Sequence, residues 1–303
     1  MVGRTFQQHA APITFGYKAA VWLDELLRHR DRLAGVRQRG LVAQLGGAVG
    51  TLATLGDKGL NVRKEFAREL DLHEPAISWH TARDSWAEIV HWIAMVGASL
   101  GKIATEIATL MRTEVDEIRE PYQVGRGSSS TMPQKRNPIS APPIIAIASR
   151  IRECVSSQLA AMIQEHERSV SGQPLEWLII PDAFLLISGA LKHSRDTLGN
   201  LDVNASRMKE NLSSGGGFLM AESVMMGLAK HVGKSEAHQL VAKAAGSAMD
   251  QGKPLKAAIL SDEMISSMLT PQEIESLFES TNYLGCSNEM INIVLEKVKK
   301  SNE

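Results

Sequence analysis

Between residues 83 and 120, apolar side chains recur at Trp86, Ile89, Val90, Ile93, Val96, Leu100, Ile103, Ile107, Leu110 and Met111. The i, i+3, i+4, i+7 spacing marks one buried face of a helix. Thr81 with Asp84 has the form of a capping box, and Pro121 supplies a stop. Such a helix approaches ~55 Å at 1.5 Å per residue, which is long for a compact domain. The natural architecture is a bundle of long helices. Residues 17–39 carry a similar stripe through Val21, Leu23, Leu26, Leu27 and Leu33. Residues 142–167 predict a third helix, with Pro142 and Pro143 suited to its first turn. Residues 181–198 predict a fourth. No run alternates as a half-buried strand does, so the expected fold is all-α.

Three stretches interrupt the helical pattern: residues 44–51, 124–130 and 213–217. All are rich in Gly or Ser. Beyond the third, the helices shorten, to 222–231, 235–251, 271–279 and 288–299. This predicts a helical bundle domain over 1–205, carrying a Ser-rich loop at 124–138, and a small C-terminal helical domain over 206–303. Neither an internal repeat nor a low-complexity tail is present.

Charge narrows the partners. Lys plus Arg is 33 and Asp plus Glu is 34, for a net charge of −1. Nucleic-acid binders usually show a clear basic excess, so no nucleic-acid partner is expected. The two cysteines, Cys154 and Cys286, show no metal-ligand or disulfide spacing, which predicts free thiols in a reducing cytoplasm. Residues 1–5 lack the apolar core of a secretory signal. Residues 89–100 come nearest to an unbroken apolar span, and His91 interrupts them, so no membrane partner is expected.

The Ser-rich loop carries candidate chemistry. Ser128, Ser129 and Ser130 follow Gly125, Arg126 and Gly127, with Lys135, Arg136 and Asn137 close behind. Gly-rich turns form anion-binding nests, and Lys and Arg add charge for a carboxylate or phosphate. The alternative is a solvated linker between two helices. The spacing is not that of a Walker loop.

Ser129 to Pro138, written S-S-T-M-P-Q-K-R-N-P, resembles the S-S-x-M-P-x-K-x-N-P core of the fumarase/aspartase superfamily. Ser128 stands where the superfamily usually has glycine. Gly3-Arg4-Thr5-Phe6-Gln7-Gln8-His9-Ala10-Ala11-Pro12 is similar to a second superfamily segment, and Gly46-Gly47-Ala48-Val49-Gly50-Thr51 to a third. Trp79-His80-Thr81-Ala82-Arg83-Asp84, Gln164-Glu165-His166-Glu167-Arg168-Ser169 and Asn282-Tyr283-Leu284-Gly285 resemble the bacterial 3-carboxymuconate cycloisomerase branch.

The resemblance implies a fumarase/aspartase-type bundle that assembles as a homotetramer, with sites where subunits meet. It implies no cofactor and no catalytic metal. The substrate would be a small tricarboxylate, 3-carboxy-cis,cis-muconate, cyclised to 4-carboxymuconolactone. Ser129 would move the proton. Lys135 and Asn137 would hold the carboxylate that takes up charge. Arg4, His9, Arg83, Ser130, Thr131 and Met132 would complete the substrate contacts. Family members extend further at the N-terminus, so a bundle domain incomplete at its front is expected. His80 and His166 have no partner at metal-ligand spacing. The tryptophans at 79, 86, 92 and 177 read as core, and the methionines as gap-filling.

Phe6 departs from the superfamily, which carries histidine after Gly-Arg-Thr in its fumarases and adenylosuccinate lyases. A phenyl ring moves no proton. Run backwards, lactonization releases a carboxylate, which leaves as a stable anion and needs little acid help. Phe6 therefore fits a lactonizing enzyme better than an eliminating lyase such as adenylosuccinate lyase. A non-catalytic structural relative is the third reading.

Overall fold

A computed structural model describes residues 1–121, 127, 131–132 and 134–300. Its α-helices in chain order are α1 (Phe15–Gly40), α2 (Gly59–Glu69), α3 (Asp84–Leu110), α4 (Ala141–Ala161), α5 (Gly172–Leu198), α6 (Ala205–Ser214), α7 (Ala221–Val232), α8 (Lys234–Asp250), α9 (Leu255–Ser261), α10 (Glu263–Met268), α11 (Pro271–Phe278) and α12 (Ser287–Lys300). The all-α expectation holds. The chain divides into two compact units. One is Asp24–Arg112 with Ile118–Asp202; the other joins Met1–Leu23, Thr113–Glu117 and Val203–Glu303. Residues 1–23 thus group with the C-terminal part, whereas a division at 205/206 assigns them to the bundle.

In the first unit, α3 packs against α4 and α5. The predicted face is the buried one: Ile89, Val90, Ile93, Val96, Leu100, Ile103, Ile107 and Leu110. Ile93 and Ile151 are fully buried; each such side chain contributes about 1.5–3 kcal/mol relative to exposure. Gly101 permits the close α3–α4 approach, since a Cβ there would lie 2.7 Å from the Ala148 Cβ.

Several boundaries differ from expectation, each for a local reason. Helix α3 stops at Leu110, ten residues early. Residues 113–117 leave the bundle unit, and Asp116 turns the backbone with φ +51°. Its N-cap is Arg83, with no side-chain cap bond, so Thr81 and Asp84 form no capping box. Helix α4 ends at Ala161, where the Gln164 Nε2 donates to the Ala161 carbonyl at 2.7 Å. Helix α5 begins nine residues before Pro181 and runs through it. An interior proline removes one helical hydrogen bond, yet the buried face continues across it from Glu176 and Ile179 to Ala183 and Ile187. Helices α2 and α6 escape the periodicity because they bury so little. In α2 only Gly59, Arg63 and Ala67 face inward; in α6, only Met208 and Asn211.

Helices α3 and α5 are long and apolar enough to cross a bilayer by length and composition. A search for unbroken apolar runs passes over both. More than half of the α3 window lies buried inside the protein, as in a core helix.

In the second unit, Leu228, Leu255, Ile259, Ile265 and Ile274 are fully buried in one core built from α7 to α11. The unit also holds a feature not predicted, an antiparallel hairpin of β1 (Val2–Thr5) and β2 (Gln8–Pro12). Thr5 pairs with Gln8, and both turn residues, Phe6 and Gln7, have positive φ, +49° and +67°. That is the type I′ arrangement, which matches strand twist and usually takes Asn-Gly. Strands of four and five residues are too short to show as alternation.

Candidate active site

The Ser-rich loop is described at its neck. Ser128, Ser129 and Ser130 lie outside the described residues. Thr131, Met132 and Lys135 are exposed and Asn137 is partly buried. The Lys135 N–H donates to the Met132 carbonyl at 3.0 Å. Asn137 donates twice to the Gly127 carbonyl, from its backbone N–H at 3.1 Å and its Nδ2 at 3.2 Å. Gly127 has φ +77°. The loop then enters α4, whose N-terminal N–H groups point at the buried Glu120 carboxylate.

Elsewhere in the same unit, three motif stretches converge. The Gly46–Gly50 turn packs on Ser78 and His80; a Cβ on Gly46 would meet the Ser78 Oγ and the His80 ring at 2.8 and 2.9 Å. The Ser78 Oγ donates to the Gly50 carbonyl at 2.6 Å, and the Trp79 indole N–H donates to the Ala43 carbonyl at 2.9 Å. Arg168 reaches in from the α4–α5 connection and donates to the Gly47 carbonyl at 2.9 Å. Burial pushes the His80 imidazole below its ordinary pKa, and the charges of Arg168 and Arg83 add to the effect. His80 is thereby biased toward its neutral form. His166 is exposed, with φ +54°. Among the described residues, no three His, Cys, Asp or Glu side chains gather as a metal-ligand group.

Arg83, expected to clamp a substrate carboxylate, holds a protein carboxylate in this structure. Its Nε donates to Glu176 Oε2 at 2.8 Å, and its guanidinium lies 5.1 Å from the Trp79 ring centroid. Gln158 Nε2 donates to the other Glu176 oxygen at 2.6 Å. Arg4, in the second unit, is likewise occupied. Its two terminal nitrogens reach the Glu117 carboxylate at 2.8 and 3.0 Å, with Asn211 Nδ2 completing the set at 3.0 Å. His9 borders the turn of residues 213–217, its Nδ1 3.7 Å from where a Cβ on Gly215 would lie. Phe6, at the hairpin tip, is 99% exposed.

Sequence reasoning missed Glu117, Glu120, Glu176, Gln158 and Asn211, which position these groups. One signal was available. Glu176 is the lone acid among Leu175, Trp177, Leu178, Ile179 and Ile180, and a charge inside an apolar run needs a partner when buried.

Residues 1–152 match the family described as lyase, and residues 217–294 match the adenylosuccinate lyase C-terminus. A 3-carboxy-cis,cis-muconate cycloisomerase of Acinetobacter baylyi is 41% identical over 99% of this chain and 66% of its own length. An N-acetyl-S-(2-succino)cysteine lyase of Dickeya dadantii is 35% identical over 97% of this chain and 65% of its own. The crystal structure of a 3-carboxy-cis,cis-muconate lactonizing enzyme from Pseudomonas putida superposes with a TM-score of 0.92 at 38% identity, covering all of this chain and 67% of that one. The chain spans about two thirds of the length of these relatives.

Proposed function

The chain belongs to the lyase family, within the fumarase/aspartase superfamily, and on that premise we propose that it cyclises 3-carboxy-cis,cis-muconate to 4-carboxymuconolactone in protocatechuate catabolism. The observation that carries this reading is Phe6, an exposed apolar ring at the hairpin tip, where the resemblance to fumarases and adenylosuccinate lyases implies histidine. The similarity to lactonizing enzymes of two bacteria supports it.

One substrate carboxylate oxygen adds to a ring-closing alkene carbon. The π pair moves to the neighbouring carbon and delocalises into its carboxylate as an aci-carboxylate. Lys135 supplies the cation that holds this charge, and the Asn137 amide fixes the backbone beside it. The Ser129 hydroxyl delivers a proton to the carbon, and solvent reprotonates the serine. Ser130, Thr131 and Met132 flank these groups. No cofactor enters the scheme. Arg4, His9 and Arg83 enter the proposal as further contacts to substrate carboxylates.

Assembly and location belong to the same proposal. Helix α5 exposes Trp177, Leu178 and Leu185 by 67–73%. Contiguous apolar surface of this kind favours association, which supports a homotetramer. Cys154 and Cys286 are both free, as suits a cytoplasmic enzyme.

The test is absorbance, since cyclisation removes the conjugated diene. The chain is expected to bleach 3-carboxymuconate, and Phe6→His is expected to give no rate gain. A large gain in that variant overturns the account of Phe6. The similarity to a succinocysteine lyase favours a second reading, elimination from a succinyl thioether; fumarate release from that substrate without diene loss would establish it.

A further inference from the structure

Glu120 closes the neck of the Ser-rich loop. The residue is 6% exposed. Oε2 accepts the N–H groups of Ile139 and Ser140 and Oε1 that of Ala141, all at 2.8 Å. The N-cap residue of α4, Ser140, makes no side-chain cap bond, so Glu120 serves that helix end from outside it. A carboxylate is favoured there by the helix dipole, and its bonds are charge-assisted. Close by lies the pair of hydrogen bonds from Asn137 to the Gly127 carbonyl. Only Pro138 separates the two clasps along the chain.

We propose that Glu120 is a positioning residue for catalysis. By fixing the backbone at 139–141 it holds Asn137 on Gly127, and so sets where Lys135 and Asn137 stand. Glu120 touches no substrate and moves no proton. The kinetic part of this inference rests on the function proposed above.

Two variants test it in the full chain. Glu120→Ala leaves three backbone donors, two of them buried, without this acceptor. Glu120→Gln keeps one acceptor oxygen but turns an NH₂ toward a backbone N–H, so it rescues partially. Amide exchange at Asn137, which makes no bond to Glu120, is expected to quicken at least ~10-fold in Glu120→Ala, reporting local opening. Exchange at Ile147 and Ile151, deeper in α4, stays as in the parent. The kcat falls by about 10- to 10²-fold, the scale set by an ångström of misplacement, while KM changes less. Glu120→Gln falls between the two. The proposal is overturned if Asn137 exchange is unchanged, or if kcat survives when protection at 139–141 is lost. If Glu120→Ala fails to fold, the same readouts on Glu120→Gln decide. If the parent chain leaves 3-carboxymuconate intact, the proposed function fails, and exchange at Asn137 alone decides the positioning role.

Discussion

Ser129→Ala is expected to lower kcat for 3-carboxymuconate by at least ~10²-fold, because positioned proton transfer contributes about 10² to 10⁴. The size follows from the reaction. Addition of a carboxylate to an alkene leaves a carbanion that must be protonated before the lactone is stable to reversal. Alanine removes the only O–H that the scheme assigns to that carbon. Charge stabilisation by Lys135 survives the change, so activity falls without vanishing; donors aimed at developing charge are worth about 10² to 10³ each. Ser128→Ala, at the position where the superfamily usually has glycine, is the control and keeps parental kcat. The two variants should share one circular dichroism spectrum, which checks that the fold is intact in both. Normal turnover by Ser129→Ala sinks the assignment of the proton to this serine.

Much of this fold could be read from periodicity because its long helices each bury one continuous stripe. The 3.6-residue recurrence in 84–110 survives intact from sequence to core. Helix ends were harder, since they are decided by groups far away in sequence. In the segment that follows α3, Arg207 and Asn211 hold the Val115 carbonyl, 92 and 96 residues away. No local pattern encodes such a bond. Helix α2 went unseen because its inward positions are Gly59, Arg63 and Ala67, which form no stripe of large apolar side chains.

The candidate site divides the same way. The candidate residues of the site sit in short motifs and were legible as strings: Lys135 and Asn137, Arg4, Arg83. Residues that hold them are scattered acids. Glu120 precedes a proline, Glu176 hides in an apolar run, and Glu117 lies in a connection. Their meaning comes from burial, which is a property of the folded chain. Composition could not separate Arg4 as a substrate clamp from Arg4 as half of an internal ion pair. The structure gives it a bidentate protein partner.

That distinction makes Arg4 the site of the second large effect. Glu117 is fully buried and Arg4 retains 19% side-chain exposure. Two charges taken from water are a poor source of stability as an intact pair, but removing one partner strands the other. In Arg4→Ala the Glu117 carboxylate keeps Asn211 Nδ2 and loses its guanidinium. The expected cost is about 3–5 kcal/mol. For a unit of this size, each kcal/mol lowers Tm by roughly 2–8 °C, so a drop of about 6 °C or more should be seen by thermal denaturation. The double variant Arg4→Met with Glu117→Leu replaces both charges by apolar groups of similar bulk. It should recover most of the lost Tm, because an apolar pair of matched volume often equals a buried ion pair. Arg4 as a substrate clamp predicts the opposite pattern. Arg4→Ala would then keep its Tm and raise KM, and the double variant would rescue nothing. Measuring Tm and KM on both variants chooses between a residue that binds the substrate and one that holds the hairpin bearing Phe6 in place.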